Sequence, residues 1–69
     1  MEAMTGHWHI IRSYESGDET VFHCARFNGE TWHFTKVRVL TIWWRTQGSV
    51  TDILRKAEER WQEEQGQKP

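Results

Sequence analysis

Apolar and polar positions alternate through the N-terminal half of the chain and change to a helical rhythm near the C-terminus. His7 to Tyr14 (HWHIIRSY), Thr20 to Phe27 (TVFHCARF) and Glu30 to Lys36 (ETWHFTK) are rich in β-branched and aromatic residues. Turn signals separate them, Ser16-Gly17 in the first gap and Asn28-Gly29 in the second, so the pattern predicts strands over about 7–14, 20–27 and 30–36. Asn-Gly favours a two-residue type I′ loop, because both central positions need a positive φ that asparagine tolerates and glycine adopts freely. With that loop, Ala25 opposes Trp32, Cys24 opposes His33 and His23 opposes Phe34. One face then holds Val21, His23, Ala25, Trp32 and Phe34, the predicted core. The other holds Phe22, Cys24, Arg26, Thr31, His33 and Thr35, the predicted polar face. In the first hairpin, Tyr14 opposite Glu19 adds Trp8 and Ile10 to the predicted core face.

Lys36 to Gln47 (KVRVLTIWWRTQ) admits two readings. Val37, Val39, Thr41 and Trp43 alternate with Arg38, Leu40, Ile42 and Trp44, and this β-branched content favours a fourth strand over about 37–45. Val37, Leu40, Thr41 and Trp44 also fall at helical spacing, with Gly48 suited to a helix end. Ser49 to Gly66 reads as a helix over about 50–65. Ser49 is the N-cap with Asp52 three residues on, and Val50, Ile53, Leu54, Ala57 and Trp61 form one apolar stripe. Residues 66–69 read as a polar tail. The predicted fold class is α+β, an antiparallel β-meander of three or four strands with one C-terminal α-helix packed across one face.

Size sharpens this picture. At 69 residues the chain makes one domain near the lower limit for folding without a staple. Only 36% of residues are hydrophobic, so the five tryptophans must supply much of the buried area. The single cysteine, Cys24, excludes an internal disulfide and fits a reducing compartment. The start, MEAMTGHWH, has no apolar run, and Val39 to Trp44 is too short to span a bilayer, so a cytoplasmic protein without membrane contact is expected.

Charge and candidate chemistry follow. The net charge of −1 argues against a strongly electrostatic duplex DNA binder. Yet residues 31–48 contain Lys36, Arg38 and Arg45 and no acid, which makes a basic, tryptophan-rich belt. In a strand Trp43 and Trp44 point to opposite faces, leaving one exposed beside Arg45. Tryptophan beside arginine is the composition of an interface hot spot and of a platform for single-stranded nucleic acid. A second constellation is His7, His9, Cys24 and His33. In the predicted register His9, Cys24 and His33 line up across three strands, close enough to share a zinc ion. The same register places Cys24 beside an imidazole that could activate it, but no oxyanion-hole signature accompanies the pair. The sequence therefore favours a non-enzymatic binding module acting by contact with another protein, as an inhibitor, adaptor or homodimer. Its partner-binding residues are Lys36, Arg38, Trp43, Trp44 and Arg45. A nucleic-acid-binding domain using the same belt, and a zinc-stabilised structural domain, are the alternatives.

Overall fold

The computed structural model describes residues 6–66. Three strands, β1 (His9–Ser16), β2 (Glu19–Phe27) and β3 (Trp32–Leu40), form one antiparallel sheet in the order β1-β2-β3. Two helices follow, α1 (Thr41–Gln47) and α2 (Val50–Gly66). The α+β meander with a C-terminal helix across one face is therefore the fold. Positions 67–69 of the predicted tail lie outside the described residues.

The β1-β2 reversal is a two-residue loop, Gly17-Asp18, between the paired residues Ser16 and Glu19. Gly17 has φ +62° and, among the described residues, no residue other than glycine has a positive φ, which matches the signs of a type II′ turn. The second reversal corrects the predicted type I′ loop. Phe27 pairs with Trp32, so four residues, Asn28 to Thr31, make the turn. Asn28 Oδ1 accepts hydrogen bonds from the backbone N–H groups of Glu30 (2.8 Å) and Thr31 (2.9 Å), and of the four loop residues only Gly29 has a positive φ. The asparagine thus acts through its side chain, as an Asx turn, and not through a left-handed backbone.

Two extra loop residues shift the register by an even number, so the predicted sorting of β2 and β3 into two faces survives. Which face is covered does not. Phe22, Cys24, Val37 and Val39 form the core with Trp8, Ile53 and Ala57, whereas Trp32 and Phe34 are 53% and 60% exposed. Trp32 and Phe34 share their parity with Lys36 and Arg38, whose charges cannot be buried unpaired, whereas the opposite parity offers Val37 and Val39. The β1 reading fails for a different reason. A bulge between Ile10 and Arg12 changes the pairing, so that Ile10 opposes Cys24 and His9 opposes Ala25. Trp8 and Ile10 consequently pack on the covered face, away from Trp32 and Phe34.

The segment 36–47 divides between its two readings. β3 runs without interruption to Leu40, and the helix begins at Thr41. There is no fourth strand among the described residues. A helix lets consecutive residues Trp43 and Trp44 both pack against one core, which alternation along a strand forbids. Trp44 meets Phe22 edge-on, with ring centroids 4.8 Å apart. Gly48 is extended, and its glycine is required by closeness, since a Cβ there would lie 2.7 Å from Trp44 Cε3.

The α2 expectation holds. Ser49 Oγ accepts the Asp52 N–H at 3.2 Å, and Ile53 and Ala57 are buried with Leu54 and Trp61 packed beside them. Val50, at the end of the stripe, remains 54% exposed. No helix among the described residues is long and apolar enough to cross a membrane.

Candidate functional site

The predicted belt does not form one surface. Trp43 and Trp44 are half-buried against the core, and Lys56 Nζ sits 5.4 Å from the Trp43 ring. Arg45 forms an ion pair with Glu15 across to β1. Lys36 and Arg38 lie on β3, exposed, with the parity of the uncovered sheet face. The exposed tryptophan is Trp32 instead.

The histidine and cysteine row is not assembled either. His7 and His9 are exposed, and the bulge leaves His9 opposite Ala25 on the uncovered face. Cys24 and His33 belong to the covered face, where Cys24 pairs with Thr35 and His33 with Arg26. Among the described residues no group of three or more His, Cys, Asp or Glu side chains is placed to hold a metal ion, which leaves the zinc expectation without a donor set. Cys24 is 1% exposed, and burial pushes its thiol up to about 11. The thiolate is the reactive form, so the side chain is a small core filler at neutral pH. Labelling with an aromatic disulfide is therefore expected to be slow in the native state and complete on unfolding. Reaction at the rate of a free thiol would contradict this placement.

His33 has a structural task that its sequence spacing did not disclose. Its ring stacks on Trp61 at 4.3 Å, and Arg26 Nη2 donates to its Nδ1 at 3.2 Å. Arg26, with an 11% exposed side chain, also donates through Nη1 to Glu58 Oε1 at 2.6 Å and lies 4.5 Å over the Trp8 ring. Trp8 Nε1 donates to the same oxygen at 2.8 Å, and Gln62 Nε2 to Glu58 Oε2 at 2.7 Å. These contacts fasten the later turns of α2 to β2 and β3, and they explain a charged residue on the covered face.

Hydrogen bonds from Gln62 and Trp8, with the Arg26 guanidinium, hold the Glu58 carboxyl below the ordinary glutamate range. A depressed folded pKa means that this stabilisation is complete above the unfolded value, about 4.3, and disappears as pH falls through the lower folded value. The stability gap between wild type and Glu58→Gln is accordingly expected to be constant near neutrality and to close in acid. Urea midpoints across that range measure it, and a gap unchanged at the acid end contradicts the arrangement.

The uncovered sheet face is where the exposed aromatic side chains of β2 and β3 gather. It includes His9, Arg12 and Tyr14 of β1, Val21, His23, Ala25 and Phe27 of β2, and Trp32, Phe34, Lys36 and Arg38 of β3. Val21 and Ala25 are buried within it. Phe27, Trp32 and Phe34 form a continuous ring row, with centroid separations of 5.3 and 6.4 Å. On the other side Tyr14 lies 5.6 Å from the His23 ring, with the Arg12 guanidinium 5.1 Å above it. The cations Arg12, Lys36 and Arg38 face one acid, Glu19, which stands 3.7 Å from Arg38. Contiguous exposed aromatic surface of this kind marks contact sites.

Comparison with protein-family models, with curated proteins and with solved structures finds no match for this chain.

Proposed function

We propose that the chain is a small non-enzymatic binding module that works by contact with another protein, with the uncovered sheet face as its working surface. The observation carrying this reading is the row Phe27, Trp32 and Phe34, exposed and in mutual contact, on the same face as Arg12, Lys36 and Arg38. Tryptophan and arginine supply a disproportionate share of binding energy where they are desolvated by a partner. Surplus positive charge on this face favours an acidic partner surface and disfavours docking of the same face from a second copy, which would set like charges together.

A second reading is single-stranded nucleic acid on the same face, since rings and cations together can take bases and phosphates. Capture from nuclease-treated lysate at rising salt separates the two. Proteins retained by the wild-type chain, and lost when Trp32 and Phe34 are replaced, are the result expected. Retention that nuclease abolishes, with a steep loss as salt rises, contradicts the protein reading.

A further inference from the structure

The two edges of this sheet are not equivalent. β1 is interrupted by its bulge, a device that twists an edge and blocks further pairing. β3 pairs with β2 through nine consecutive positions without a register shift, and its other side borders no strand among the described residues. Its outer row of backbone N–H and C=O groups is thus a regular template. A groove of about 720 Å³ runs beside it, between Phe34, Lys36 and Arg38 of the strand and Lys56, Glu59 and Glu63 of α2. Charged side chains on both banks suit an extended chain better than a small apolar ligand, whose sites are mostly apolar and enclosed.

We infer that the partner adds an extended segment to the free edge of β3, antiparallel or parallel, as a fourth strand. This rests on the proposal that the chain binds a protein. Main-chain pairing supplies affinity in this mode and alternate side chains supply specificity. Five residues from Phe34 to Arg38 span about 17 Å, enough for a short ladder. On the uncovered face the incoming segment meets Phe34, then Lys36, then Arg38. Lys36 has no ion-pair partner among the described residues, whereas Arg60 on the helix bank is engaged by Glu64 at 3.3 Å. The fitting segment therefore places an acidic residue beside Lys36, with an apolar residue two positions away beside Phe34. A second copy of β3 fits poorly, because it brings Lys36 and Arg38 against the same cations.

The test uses the wild-type chain and a capped nonapeptide of alternating valine and threonine with a central glutamate. Two N-methylated isomers complete the series, each carrying three methyl groups, on alternate residues of one set or of the other. Binding is expected to slow exchange at alternate amides of residues 32–40, those pointing away from β2. One isomer should bind at least tenfold more weakly than the parent, and the other within about threefold, because a strand donates from alternate residues to each side. Replacing the central glutamate by lysine should weaken binding severalfold. Equal behaviour of the isomers, or chemical shift changes at Trp32 with β3 exchange unaltered, overturns edge addition while leaving a protein contact on the sheet face intact. Absence of peptide binding together with salt-sensitive binding of an oligothymidine overturns both. A dimer whose interface protects β3 overturns the assignment of the edge to a foreign segment.

Discussion

Replacing Trp32 and Phe34 together by serine is expected to leave the fold standing and to weaken partner binding by about thirty-fold or more, the effect of losing one hot spot of roughly 2 kcal/mol. Neither ring belongs to the core cluster, and both are more than half exposed, so their removal opens no cavity beneath α2. The loss falls on the complex, where a partner would have desolvated them. Thermal unfolding of the double variant should stay within a few degrees of wild type, in keeping with roughly ±0.5 kcal/mol for surface substitutions. A large drop in unfolding temperature would mean that the rings hold the domain together. Unchanged affinity for the captured partner would move the contact surface elsewhere.

The opposite behaviour is expected from Ile53→Ala. Ile53 is 0% exposed in the middle of the stripe that α2 lays on Phe22, Val37 and Val39. Truncating a buried isoleucine to alanine costs about 2–5 kcal/mol, through lost transfer energy and the cavity left behind. In a domain of this size each kcal/mol lowers the melting temperature by roughly 4–8 °C, so a fall of roughly 8–40 °C is expected. Circular dichroism during heating measures it, with Val50→Ala on the exposed end of the same helix as the control. Equal effects of the two substitutions would contradict the docking of α2.

The relation between pattern and structure explains why the second expectation was easier to foresee than the first. α2 was legible because its signals agree, from the Ser49 cap to the periodic stripe. The meander was legible for a similar reason, with strand-rich segments between turn signals. Face assignment required one more step. Sorting Trp32 and Phe34 inward follows from their hydrophobicity if β3 is cut short at Lys36. Extending the same alternation through Val39 ties those rings to Lys36 and Arg38 and gives the covered face to Val37 and Val39. Hydrophobicity of individual residues thus lost to the cost of burying charge.

Other features were not readable at this level. The bulge at Ile11 has no glycine or proline to announce it, and it alone redirects Trp8 and Ile10. The helical turn at Thr41 runs against β-branched propensity, because two adjacent tryptophans gain more from sharing a core than from local preference. Arg26 offered a signal that could have been used. A charged residue on the central strand, sharing parity with Phe22 and Cys24, requires a buried partner, and α2 provides only a few carboxylates with the correct periodicity.

The arrangement of the two sheet faces can be tested in one experiment. With all five tryptophans replaced by 5-fluorotryptophan, ¹⁹F relaxation enhancement by a neutral soluble gadolinium chelate ranks their access to solvent. Trp32 is expected to show the largest enhancement and Trp8, 6% exposed, the smallest, with Trp43, Trp44 and Trp61 between them. A Trp32 resonance shielded as fully as that of Trp8 would place the ring row beneath α2, and the working surface proposed for this chain would not exist.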